Sequence, residues 1–152
     1  MNIFEYFETE FASILARLAE QSVLPRDLDA SRVVFELPRD ASHGDLATNA
    51  AMILSKPAQQ SPRDLAAILV VEFAKIDGVV EVNIAGPGFI NLRVTPILWA
   101  QQITDIFESG LNYGRSMVGS GARVNVEFVS ANPTGPLHAA HARGAVIGDA
   151  LA

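Results

Sequence analysis

Apolar residues in the first twenty positions recur at helical spacing. Phe4, Phe7, Phe11, Ile14, Leu15 and Leu18 fall on one face, and Asn2 with Glu5 three positions later forms a capping-box pattern. This predicts a helix, ended by Pro25 and the polar stretch to Ser31. The period then changes to two. Val33, Phe35 and Leu37 alternate with Arg32, Val34 and Glu36, which predicts a half-buried strand closed by Pro38. PRDASHGD, residues 38–45, reads as a loop into a second helix spanning 45–55, with Gly44 at positive φ and Asp45 as cap. Pro57 stops that helix. Ser61-Pro62 opens a third, whose stripe is Leu65, Ile68, Leu69, Phe73 and Ile76 and whose end is Gly78.

A hairpin follows. Val80, Val82 and Ile84 alternate with Glu81 and Asn83, Gly86-Pro87-Gly88 turns the chain, and FINLRV returns from Phe89 to Val94. Thr95-Pro96 caps a fourth helix, with Trp99, Ile103, Ile106 and Phe107 as its expected buried side and Gly110 as its end. GLNYGRSMVGSGA, rich in glycine and serine, has linker composition. Beyond it VNVEFVS predicts a strand, 131–137 a turn, and 141–152 a helix. These last elements are too few to bury a core of their own, so they read as the opening of a larger α/β domain. No internal repeat is present. The expected boundaries are therefore a domain over 1–110, a linker over 111–122 and a second, partial domain over 123–152.

Composition narrows the class. At 152 residues and 49% hydrophobic content the chain has room for one ordinary core. It has no cysteine, so neither disulfides nor thiolate metal sites are available. The N-terminus carries Glu5, Glu8 and Glu10 without a base, unlike a signal or transit peptide, and no uncharged apolar run is long enough to span a bilayer. The net charge is −6, and −4 of it sits in the first thirty residues: Glu5, Glu8, Glu10, Glu20, Asp27 and Asp29 against Arg17 and Arg26. A polyanion binder is normally basic, so any RNA contact must rest on a local patch.

Two stretches carry candidate chemistry. In FINLRV, Ile90, Leu92 and Val94 point one way, while Phe89, Asn91 and Arg93 point the other. An aromatic ring, an amide and a guanidinium in a row suit an unstacked nucleobase and its phosphate. From spacing alone the plainer reading comes first: Phe89 as a plug under the turn and Asn91 in local hydrogen bonds. In NPTGPLHAAHARG, Pro133, Gly135 and Pro136 enforce a turn over 132–136, and His138 and His141 share a face of the emerging helix. A helix N-terminus favours anions, and histidines there stabilise charge developing in phosphoryl or nucleotidyl transfer, with Arg143 nearby. A metal pair is a rival reading without a third ligand, and capping histidines are another.

VEFVSANPTGPLHAAHARGAVIGDALA resembles the segment of the arginyl-tRNA synthetase family that carries its HIGH signature. HGDLATNAAMILSK, residues 43–56, and VEVNIAGPGFINLRV, residues 80–94, resemble the additional N-terminal domain of the same family, in the same order. The resemblance implies an α+β fold: a small antiparallel sheet packed with about four helices, followed by the first strand and helix of a Rossmann-like α/β catalytic domain.

The resemblance also implies roles. Phe89 and Asn91, with Arg93, would meet the D-loop at the tRNA elbow. His138 and His141 would be catalytic. They would bind ATP phosphates together with Thr134, Gly135, Pro136 and Ala140, while Glu127, Ser130, Asn132 and His141 would hold L-arginine. Ala140 departs from the usual glycine that lets adenine approach the backbone, and Gly135 stands where some members carry a lysine, so a KMSK-like lysine is expected downstream. The implied partners are tRNA, L-arginine and ATP, the last with Mg²⁺, and no resident metal is expected. The implied whole is a cytoplasmic, monomeric ligase that makes an arginyl-adenylate. The 152 residues would be its N-terminal piece, ending just after the HIGH motif and inactive alone. The alternative is a stand-alone RNA-binding or regulatory module derived from such an enzyme.

Overall fold

The computed structural model describes residues 2–132 and 134–152. They form two compact units, Met1–Tyr113 and Gly114–Ala152. The first contains α1 (Ile3–Glu20), β1 (Phe35–Glu36), a 3₁₀ turn (Ala41–His43), β2 (Leu46–Thr48), α2 (Ala50–Leu54), α3 (Pro62–Phe73), β3 (Val79–Ala85), β4 (Phe89–Val94) and α4 (Pro96–Ser109), with a last 3₁₀ turn at Gly110–Asn112. The sheet is antiparallel with order β1-β2-β4-β3. This bears out the small antiparallel sheet and its helices.

Local chemistry explains α1 and α3. Asn2 Oδ1 accepts from Glu5 N at 2.9 Å while Glu5 Oε2 accepts from Asn2 N at 3.1 Å, closing the predicted capping box. The helix stops at Glu20, before Pro25, because Ser22 takes φ 59° and Val23 N–H reaches back to the Leu18 carbonyl at 2.9 Å. Ser61 caps α3 with Pro62 at its first turn, as expected.

The core lies between one sheet face and the helices. Phe35 stands at its centre, with its ring centroid 6.0 Å from Phe7, 5.9 Å from Phe11 and 6.0 Å from Phe73. Leu65, Leu69, Ile90 and Leu92 are fully buried around it. Glu72, also buried, accepts from Lys75 Nζ at 2.6 Å and pairs with Arg17, which ties α3 to α1.

Several expectations need correction. The single helix over 45–55 splits: Leu46, Ala47 and Thr48 form β2, and only Ala50–Leu54 is helical. Asp45 caps no helix. Its carboxylate accepts from Val94 N at 2.9 Å, and its own N–H donates to the Leu92 carbonyl at 2.8 Å. Gly44 does take positive φ, +133°, and a Cβ there would lie 2.6 Å from the Leu92 carbonyl oxygen. The first strand shrinks to two residues and leaves Leu37 exposed. A register shift between Val79 and Glu81 turns Val80 outward and puts Val79 against the core. Most of the stripe expected to bury α4 faces solvent instead: Ile103, Ile106 and Phe107 are exposed, whereas Trp99 of that stripe packs on the core beside Leu98.

In the second unit the chain from Ala122 to Asn132 forms no ladder among the described residues, against the expected strand. An extended segment without a partner has nothing to bond to, and Val129 breaks the extension with φ 60°. Phe128 instead lies against Gly148, where an added Cβ would come 2.1 Å from the Phe128 Cβ. The helix, α5, runs Ala139–Leu151, starting two residues earlier than expected. The Rossmann-like continuation is thus an expectation that the fold leaves open. Pro133, part of the predicted turn, lies outside the described residues.

Candidate nucleic-acid interface

Strand alternation divides the sheet cleanly. Thr48, Ile90, Leu92 and Ile84 face the core, whereas Glu36, Ala47, Asn91 and Asn83 form one row across all four strands on the open face. Phe89 follows on the same face, opposite Ala85. Small side chains at Ala47, Ala85 and Gly86 leave space beside Phe89 and Asn91. The result is a hollow of about 420 Å³, whose remaining border is the loop carrying Pro38, Arg39, Asp40 and His43 together with Glu36.

Phe89 is 38% exposed at the hollow, so it is not sealed under its turn. Asn91 differs from the expected open row, being only 8% exposed. Its backbone is locked between β2 and β3, opposite Ala47 and Asn83. Its side-chain amide has no hydrogen-bond partner among the described residues. Neighbouring Asn83 is not in that position, since its Nδ2 donates to Glu81 Oε1 at 2.9 Å. Although the residue as a whole is nearly buried, its amide atoms stay open to solvent at the hollow. Asn91 therefore carries one free donor–acceptor pair at the floor of an aromatic-walled hollow, a chemistry that reads the edge of a planar base.

Arg93 leaves the predicted trio. Its Nε donates to Glu81 Oε2 at 3.2 Å and its guanidinium to the Ser42 carbonyl at 3.3 Å, and it borders a different hollow with Trp99 and Thr95. The Asn83 amide and then Arg93 hold the Glu81 carboxyl below its ordinary range, so Glu81 stays anionic beside Arg93. The residues that sequence reasoning missed are Arg39, His43, Ala47 and Glu36. His43 lies in the loop over 38–45, where only Gly44 and Asp45 carry a local signal and it is architectural, and Ala47 falls inside the helix expected over 45–55.

A larger hollow, of about 550 Å³, lies between α1 and the 25–35 segment, against Phe11, Ala12, Leu15 and Leu28. No predicted site residue borders it. Its walls are mostly aliphatic, so the open sheet face is the better candidate.

In the second unit His138 is the residue before α5 and His141 lies in its first turn. Their rings stack with centroids 3.7 Å apart, and His141 Nδ1 accepts from His138 N at 3.3 Å. Thr134, Gly135, Pro136 and Ala140 are exposed beside them. Glu127, Ser130 and Asn132 lie exposed on the unpaired segment. Among the described residues no three His, Asp or Glu side chains converge on a metal. No helix is long and apolar enough to cross a membrane among the described residues.

Residues 5–94 match the family model described as Arginyl tRNA synthetase N terminal domain. The chain is 57% identical to an arginine–tRNA ligase of Parvibaculum lavamentivorans over 151 residues, covering 99% of this chain and 26% of that protein. It is 54% identical to one of Nitrobacter winogradskyi over 149 residues, 93% of this chain and 25% of that protein. A third, from Xanthobacter autotrophicus, is 49% identical over 152 residues, 100% of this chain and 26% of that protein. The chain thus spans about a quarter of the length of the curated relatives it matches.

Proposed function

The chain belongs to the arginyl-tRNA synthetase family, and from that premise we propose that it is the N-terminal part of an arginine–tRNA ligase whose residues 1–110 bind the tRNA elbow. In this reading the D-loop presents an unstacked base to the open sheet face. Phe89 supplies the stacking surface and Asn91 reads the base edge. Residues 111–122 link this domain to residues 123–152, which open the catalytic domain. There Thr134, Gly135, Pro136 and Ala140 approach ATP, and His138 with His141 bind its phosphates at the start of α5, where free N–H groups favour an anion. Mg²⁺ arrives with ATP and neutralises phosphate charge. Glu127, a carboxylate, suits the arginine guanidinium, and Ser130 and Asn132 suit its backbone groups. The whole protein joins L-arginine to tRNA through an adenylate. The 152 residues alone lack the rest of that site and do not charge tRNA.

The observation that carries the elbow reading is the Asn91 amide, without a side-chain hydrogen bond among the described residues and open to the same hollow that Phe89 borders. The test is aminoacylation of arginine tRNA by the intact protein. Phe89→Ala and Asn91→Ala should each lower kcat/KM for tRNA about fivefold or more, the scale of one lost base contact, with KM for arginine unchanged. Parental charging efficiency in both variants refutes the elbow role. A stand-alone RNA-binding module is favoured by the closed core of the first unit; that reading requires tRNA binding by an intact protein that never charges it.

A further inference from the structure

The second side of the Phe89–Asn91 hollow is the loop from Pro38 to His43, and nothing above gives that loop a ligand. It is held in place without one. Asp40 Oδ1 accepts from Ser42 N at 2.9 Å and starts the 3₁₀ turn. Gly44 sits on β4, and Asp45 is bonded to β4 at both Leu92 and Val94. These contacts fix His43 beside β4 before any partner arrives, which lowers the ordering cost of binding.

The charges around the hollow are ordered too. Glu36 and Asp40 both border it. The Ser42 hydrogen bonds keep the Asp40 carboxyl below its ordinary range, so it is anionic near neutrality. A phosphate inside would meet two carboxylates and is disfavoured, whereas a neutral base is not. Arg39, exposed on the same border, has no ion pair or hydrogen bond to another side chain among the described residues, unlike Arg93. It is the cation left for a phosphate at the mouth.

We infer that Arg39 and His43 form a clamp for one extruded RNA nucleotide: its base enters the hollow against Phe89, Asn91 and His43, and Arg39 neutralises its phosphate at the mouth. The clamp rests on the proposed elbow reading and extends it to a loop on the far side of the hollow.

The test is equilibrium binding of an arginine tRNA transcript to the intact protein across a salt series, repeated with a transcript abasic at the D-loop position whose loss Phe89→Ala no longer senses. Arg39→Ala should weaken binding and reduce the slope of log affinity against log salt by about one, the signature of one lost phosphate contact. Arg39→Lys should restore that slope. His43→Ala should cost about fivefold with the normal transcript and nothing with the abasic one. Both side chains are exposed, so the folded state should survive, and matching melting temperatures check it. If Phe89→Ala and Asn91→Ala weaken binding while Arg39→Ala and His43→Ala do not, the clamp fails and the base hollow stands. If all four bind like the parent, both readings fail.

Discussion

Gly44→Ala should unseat the loop that borders the hollow, and its cost follows from the geometry. Gly44 has φ +133° and ψ −164°, a region that residues with a side chain reach only at about 1–3 kcal/mol. Space adds to this. The new Cβ would stand 2.6 Å from the Leu92 carbonyl oxygen and 3.2 Å from its carbon, both backbone atoms of a central strand. Relief requires the loop to lift from β4. That lengthens the Asp45 N–H bond to Leu92 and the Val94 N–H bond to the Asp45 carboxylate, now 2.8 and 2.9 Å. Each is worth about 0.5–1.5 kcal/mol net. The total is about 2–6 kcal/mol. For a unit the size of Met1–Tyr113, each kcal/mol shifts the midpoint by about 4–8 °C, so the thermal midpoint followed by circular dichroism should fall by about 8 °C or more. Amide exchange at Asp45 and Val94 should accelerate along with it. A midpoint within about 2 °C of the parent, with both amides still protected, would refute the reasoning.

Glu72 makes acid stability testable. Hydrogen bonds first from Lys75 and then from Arg17 hold its folded pKa below the ordinary value, despite burial. Its contribution is present above the unfolded value of about 4.3 and disappears as pH falls through the folded value. Because Arg17 and Lys75 are 45% and 59% exposed, solvent screens the pairs, and Glu72→Gln should cost only about 1 kcal/mol at pH 7. Urea unfolding should show that gap narrowing as pH falls below the unfolded value of about 4.3, and a gap independent of pH would contradict the assignment. Phe107, 82% exposed on α4, should tolerate Asp with a change within about 0.5 kcal/mol in the 152-residue chain. A large loss in urea unfolding would mean that the face is covered after all.

The elements that sequence revealed are those whose signal is local. Asn2 and Glu5 make a capping box from four consecutive positions, and Ser61-Pro62 starts a helix with no help from distant residues. Alternation in FINLRV assigned the faces of β4 correctly. What stayed illegible depends on partners. Periodicity groups Ile103, Ile106 and Phe107 on one side of α4, but cannot say whether that side meets the core. Leu46, Ala47 and Thr48 are buried on both faces, so β2 shows no alternation and reads as helix. Asp45 has a capping residue's chemistry, yet its acceptor is spent on a strand nearly fifty positions away. The same limit hid half of the hollow. Phe89 and Asn91 were legible as neighbours on a strand, whereas Arg39 and His43 join them only through the fold.

The acidic balance of the chain, the strongest compositional argument against RNA, loses force once the layers are known. Most of the charge belongs to the first thirty residues, and α1 carries Glu5, Glu8, Glu10 and Glu20. Phe7 and Phe11 of α1 pack on Phe35 and so on the core face of the sheet. The hollow occupies the other face, reached from Glu36, Ala47 and Asn91. A packed layer is about 10 Å deep, comparable with the Debye length of about 8 Å at physiological salt. The charges of α1 are therefore weak at the hollow, while Arg39 and Arg93 both stand on the side of Asn91 and Phe89. In the proposed reading, net charge governs how slowly a tRNA is drawn in from solution, and the arrangement on the open face governs whether it stays. An acidic protein of this construction should associate with tRNA without strong steering and hold it by a base contact that salt weakens little, with only the Arg39 contact contributing to the salt slope of this domain.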